Sequence, residues 1–198
     1  MSSKKSSDSE LAPLTVFRYQ YSSLPITLSS ADCAGKVFVI TGANSGLGFE
    51  CVKHLVTLGC KKVIMAVRSR QRGLDALALV ESETVKRFAT KVEEELERVD
   101  GLINNAAAAD GSWNIVQGME SSIAVNLVGT ILLTVLIMPY LRKCVKQFNC
   151  TPRVSFLTSG LAWGRKSDLA KIDKNRGILN DVNDSEKWSM GGVNRQVS

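Results

Sequence analysis

Three groups of residues in this 198-residue chain have the types and spacing to do chemistry. The first is Thr41-Gly42-Ala43-Asn44-Ser45-Gly46-Leu47-Gly48. Gly42 can take the positive φ of a tight turn. Gly46 has no side chain to block an anion approaching the start of a helix, and Gly48 lets that helix pack close to its strand. Free N–H groups in the first turn and the helix dipole attract that anion, commonly a pyrophosphate. The glycine spacing is G-x-x-x-G-x-G rather than the general dinucleotide fingerprint. Taken alone, the triplet also fits a plain turn between strand and helix. The second group is Arg68-Ser69-Arg70, whose guanidinium groups suit a phosphate through charge-assisted hydrogen bonds. The third is a set of polar residues beside or inside apolar runs: Asn104, Asn105, Asn126 and Ser159.

The elements that position these groups follow from hydrophobic pattern. Lys36 to Thr41 is continuously apolar after its lysine, as in a parallel strand covered on both faces. Leu47, Cys51, Leu55 and Leu58 have helical spacing, so a helix runs from about Ser45 to Leu58, capped by Gly59. Val63 to Val67 is the second strand, and Arg68 follows at once. Val99 to Asn105 is a further strand, and Trp113 to Cys144 reads as mainly one helix region that Pro139 bends or ends. Arg153 to Thr158 is the last strand, with Ser159 at its C-terminal end. This alternation predicts an α/β fold: a doubly wound parallel sheet in three α/β/α layers, with ligands at the C-terminal ends of the strands. In such a sheet the end of the second strand lies beside the adenosine ribose. An acidic residue there would bind the 2′-hydroxyl of NAD. Arg68 favours a 2′-phosphate instead, which points to NADP(H) in preference to NAD(H).

One stretch does not fit. Residues 69–98 should hold a helix, a third strand and another helix, which needs about 35–40 residues. Only 30 are present, and they read helical almost throughout, from Leu74 and Leu77 to Val85, Phe88, Val92 and Leu96, with Ser82-Glu83-Thr84 as the seam. The third strand is therefore expected to be absent. It would be an outer strand, so its loss leaves the second strand as an edge.

The pattern Thr-Gly-x-x-x-Gly-Leu-Gly, followed by Asn104-Asn105-Ala106, Asn126 and Thr158-Ser159, resembles the short-chain dehydrogenase/reductases, and more narrowly their fungal and retinol-dehydrogenase-like members. The resemblance runs from about Gly35 to about Met190. It implies a Rossmann-like, NAD(P)-dependent oxidoreductase acting on a small carbonyl or alcohol substrate. The fungal likeness associates such members with secondary metabolism. Carried onto this sequence, it places the cofactor on Gly42, Asn44, Ser45, Gly46, Leu47, Gly48, Arg68, Asn104 and Asn105. Ser159 would hydrogen-bond the substrate carbonyl oxygen, and Asn126 would hold a water in a proton relay. From the residues alone, Asn126 could equally be satisfied by backbone within its helix. Family members often pair through the helix that carries Asn126, so the resemblance allows a homodimer and leaves the oligomeric state open.

The chain departs from the family in three places. Ala107 replaces a glycine after Asn104-Asn105-Ala106, and no residue matches the family's aspartate after the third strand. The family's chemistry also needs a tyrosine followed four residues later by a lysine, whose charge lowers a phenol pKa of ~10 toward neutrality. The tyrosines are Tyr19, Tyr21 and Tyr140, and none begins a Tyr-x-x-x-Lys. Gly191 to Ser198 then replaces that motif, so the final strands read as missing and the product as truncated. The alternative to an enzyme is an inactive nucleotide-binding or interaction remnant.

Composition narrows the rest. Net charge is +6 and the basic residues are mostly scattered, which favours a phosphorylated small molecule over nucleic acid. The five cysteines have no metal-ligand spacing, and with His54 as the one histidine no metal site is expected. Reduced thiols, the lack of a signal peptide and the shortness of the apolar run Leu127 to Met138 predict a cytoplasmic protein without a transmembrane segment. Residues 1–34 read as a partly disordered extension, 35–190 as the nucleotide-binding domain and 191–198 as an aberrant tail.

Overall fold

The computed structural model describes residues 27–67, 82–109, 112–159 and 171–186. Four parallel strands form the sheet: β1 (Val37–Thr41), β2 (Lys62–Ala66), β3 (Gly101–Asn104) and β6 (Arg153–Phe156), in the order β2-β1-β3-β6. The register pairs Val39 with Ile64 and with Leu102, so β1 is central. Successive residues of β1 point to opposite faces. Val39 and Ile40 are both fully buried, but in different cores. That double burial is the reason for the unbroken apolar run.

On the Ile40 face lies α2 (Gly46–Thr57), which contributes Val52 and Leu55. Cys33, at the end of the short helix α1 (Ser30–Cys33), joins the same core. On the Val39 face lie α3 (Ser82–Glu95) and α4 (Thr130–Phe148). They supply Val85, Ala89 and Val92 from one helix and Leu133, Ile137 and Leu141 from the other. The molecule is a three-layer, Rossmann-like α/β fold with an incomplete sheet. A full doubly wound sheet has one more strand outside β2. Among the described residues no strand pairs with that edge. Leu74, Leu77 and the arginines at 68 and 70 lie outside the described residues.

Four expectations change. Ser82-Glu83-Thr84 is the first turn of α3 rather than a seam. The region from Trp113 is not one helix. It opens with a small antiparallel hairpin, β4 (Ile115–Val116) and β5 (Met119–Glu120). Gln117 and Gly118 turn it with φ of 50° and 78°, the double positive φ of a tight two-residue hairpin loop. Strands of two residues are too short for alternation to show. The helix begins at Ile123 as a π-helical segment (Ile123–Gly129) and continues through α4. Pro139 neither ends nor interrupts it: the ring is exposed, and Val135, whose carbonyl loses its amide partner, is on the exposed side too, where water can replace the bond. The fourth change is length. Ile123–Phe148 is 26 residues, long and apolar enough to cross a membrane, although here one face of it is built into the core.

Two buried carboxylates fix the frame. Asp100, just before β3, accepts the Val37 amide at 2.9 Å and pairs with the Arg98 guanidinium, so it ties β1 to β3 at the edge opposite the glycine turn. Glu120 accepts the amides of Ser122 (2.9 Å) and Ile123 (3.3 Å), capping the helix that carries Asn126.

Candidate cofactor and active site

The C-terminal ends of the strands gather most of the candidate residues. Gly42 follows β1 with φ of 63°, and Gly46 opens α2 with φ of 54°. Both are in the left-handed region that favours glycine. Gly48 is buried, and a Cβ there would stand 2.6 Å from the Gly42 carbonyl oxygen and closer still to the Asn105 amide. Helix and turn touch through that missing side chain. Ser45 makes no side-chain cap, so the first amides of α2 keep their donors free for an anion. Asn44, Ser45, Gly46 and Leu47 form the exposed rim of the turn. Leu47 is 74% exposed and so does not share the buried face with Leu55, as its spacing suggested.

Asn105 holds the turn from the neighbouring strand. Its side-chain NH2 donates to the carbonyls of Thr41 and Gly42, each at 3.0 Å. The Thr41 hydroxyl accepts the amides of Asn105 and Ala106, each at 3.0 Å. This staple joins β1 to β3 where a cofactor would lie, so Asn105 positions the turn. The role of Thr41 escaped sequence reading, because its partners are more than sixty residues away. The Asn104 side chain is buried and donates to the Thr134 hydroxyl at 3.2 Å. Its Oδ1 has no partner among the described residues.

Asn126 sits in the π-helical segment, a geometry frequent at functional sites. Its carboxamide accepts the Ala108 amide at 2.7 Å and donates to the Ala108 carbonyl at 2.9 Å. It is thus satisfied by backbone, but by the loop after β3 and not by its own helix. Ser159 lies three residues beyond β6, at the same edge of the sheet, and is half-buried. Arg68 lies outside the described residues. A cavity of about 400 Å³ opens beside these strand ends, lined by residues that include Thr41, Ala66, Asn104 and Leu133. Among the described residues no cluster of His, Cys, Asp and Glu could hold a metal.

The glycine contact and the open amides fit a nucleotide cofactor. The family model for short chain dehydrogenase matches residues 36–147. This chain belongs to the short-chain dehydrogenase/reductase family. It is 36% identical over 183 residues to the short chain dehydrogenase/reductase dmxR8 of a Cryptosporiopsis species, covering 83% of this chain and 56% of that protein. It is 33% identical over 154 residues to the short chain dehydrogenase FGM9 of Gibberella zeae, covering 68% and 45%. The chain spans about half the length of these curated relatives. Among solved structures, an NADH-dependent reductase complexed with NAD superposes with a TM-score of 0.55 at 15% identity, covering 85% of this chain and 69% of that one. The oxidoreductase yciK of E. coli gives 0.54 at 20% identity, covering 84% and 66%. These two likenesses show the shared fold.

A short-chain dehydrogenase needs an ionisable phenol, and Tyr140 is the one tyrosine among the described residues. It is buried in the core between α3 and α4, donates to the Leu96 carbonyl, and is pushed up to about 12, mainly by burial. It is held neutral in the core beside Leu96, away from the strand ends that carry the glycine turn. Because the unfolded phenol ionises first, near 10, stability is expected to be constant below that pH and to fall as pH rises toward 12. Ultraviolet absorbance of phenolate during an alkaline titration checks this. Full ionisation of Tyr140 at pH 10 with the fold intact would show that the core does not hold the neutral form.

Proposed function

We propose that this chain is an NADP(H)-binding oxidoreductase unit for a small carbonyl or alcohol substrate, and that its site works as follows. The amides at the start of α2 bind the diphosphate, with Gly46 leaving them open and Gly48 keeping helix and turn in contact. Asn105 and Thr41 hold the turn against β3. Arg68 favours the 2′-phosphate. Ser159 polarises the substrate carbonyl by donating a hydrogen bond to its oxygen. Asn126, by clamping Ala108, keeps the loop after β3 in place and supports the proton relay. When bound, the cofactor supplies hydride transfer. The observation that carries this reading is the close approach at Gly48, a contact between helix, turn and Asn105 that leaves no room for a side chain.

The relatives dmxR8 and FGM9 are fungal proteins, in keeping with a substrate of fungal secondary metabolism. The exposed stripe Leu127, Ile131 and Val135 along the long helix supports homodimer pairing. A second reading has its own observation: no Tyr-x-x-x-Lys occurs in these 198 residues. As it stands the chain would bind the nucleotide without turning over, as a regulatory or interaction unit.

Fluorescence titration of the purified chain with NADPH and NADH tests the first reading. Saturable binding is expected, tighter for NADPH by about tenfold or more, the worth of one charge-assisted contact. Equal affinities would remove the NADP(H) preference. No binding by a folded sample would overturn both nucleotide-binding readings and leave the interaction remnant.

A further inference from the structure

Three cysteines from different elements meet in one core. Cys33 ends α1, Cys51 lies on α2, and Cys60 lies between α2 and β2. Cys33 is 1% exposed in the core on the Ile40 face, and the half-buried Cys51 and Cys60 pack against that core. All five cysteines are free thiols. The backbone sets Cys33 beside Cys60. Ala34 pairs with Cys60 in an antiparallel bridge, and the Gly35 amide donates to the Gly59 carbonyl at 3.4 Å. A residue one chain step from a bridge partner stands about 6 Å from it at Cα, within the roughly 4.4–6.8 Å that a disulfide spans. Both positions are held. Asp32 accepts the Ser29 amide at 2.9 Å and the Ser29 hydroxyl at 2.6 Å, which closes the turn of α1. The Cys60 amide donates to the Leu55 carbonyl at 3.2 Å, at the far end of α2. Cys51 approaches from its helix, with no backbone hydrogen bond to α1 among the described residues.

We propose that Cys33 and Cys60 are a redox-responsive pair that hydrogen peroxide converts to a disulfide. The half-buried Cys60 meets the oxidant first. Its thiolate attacks one peroxide oxygen, the O–O bond breaks, and the departing hydroxide takes up the thiol proton as water. The Cys33 sulfur then displaces hydroxide from the Cys60 sulfenic acid. The S–S bond forms, and the Cys33 proton leaves with that hydroxide as a second water. Two thiols lose two electrons, and one peroxide becomes two waters. Burial pushes the Cys60 thiol up, so the step is slow and Cys60 is no catalytic nucleophile. The bridge closes residues 33–60 into one loop, which holds β1, the glycine turn and α2. Oxidation thus fastens the unit that carries the anion-binding amides. The pair is independent of the cofactor reading above.

Peroxide treatment of the purified full chain, alkylation of the remaining thiols and tryptic mass mapping test this. The expected product is peptide 19–36 joined to peptide 54–61, in a chain that still migrates as a monomer without reductant. The thermal midpoint should rise by about 5 °C or more and return on adding dithiothreitol. Cys60→Ser, at a half-buried position, should fold as the reduced parent does and show neither the joined peptides nor the shift. Cys51→Ser should keep both. Alkylation of all five thiols after peroxide, a Cys33–Cys51 link or a covalent dimer would overturn the pair. So would a reversible shift of the same size in Cys60→Ser.

Discussion

Gly48→Ala is expected to abolish saturable NADPH binding and to lower the free energy of unfolding by about 2 kcal/mol. Alanine is the better helix former by about 1 kcal/mol, so propensity alone predicts the opposite sign. Sterics decide. The new Cβ would sit 2.6 Å from a backbone oxygen of the Gly42 turn and against the Asn105 amide. That amide is held by two hydrogen bonds, so neither neighbour can move without opening the staple between β1 and β3. Gly46→Ala is the control for stability. A Cβ there meets nothing within 4 Å, and only the φ of 54° is strained, at a cost of about 1 kcal/mol. Urea unfolding and NADPH titration of both variants separate the two effects. If Gly48→Ala unfolds at the parental urea concentration, close helix–turn contact is not the reason for glycine at this position.

The second large effect is at the opposite edge. Asp100→Ala should cost about 3 kcal/mol, because it leaves the Val37 amide and the part-buried Arg98 guanidinium without their shared acceptor. The exposed pair Lys53–Glu50 offers the contrast: its removal should be close to neutral. Asp100→Asn should fall between, since a carboxamide oxygen can still accept the Val37 amide. Chemical denaturation of the three variants checks the order. A loss below about 1 kcal/mol for Asp100→Ala would mean that water takes over the clamp.

What could be read from the chain was local. An unbroken apolar run, a glycine turn and a helical repeat identify β1, the turn and α2, because each is fixed by neighbours within a few residues. The three- and four-residue steps from Val85 to Leu96 likewise give α3. The β4–β5 hairpin was hidden because two-residue strands carry no period. Only its Gln117-Gly118 turn gave a signal, and a glutamine does not advertise positive φ.

The site itself was decided by tertiary structure. Sequence supplied the carboxamides, but a carboxamide's partner depends on which strands and loops are neighbours. Asn105 reaches the Gly42 turn across 63 residues because β3 pairs with β1, and Asn126 clamps Ala108 because the π-helical segment passes beneath that loop. The same packing removes Tyr140 from chemistry by burying it on Leu96. It also brings Cys33 and Cys60 to one core. Short-range pattern determines which elements form; where side chains of distant elements meet depends on the order and spacing of the layers, which no local run of residues contains.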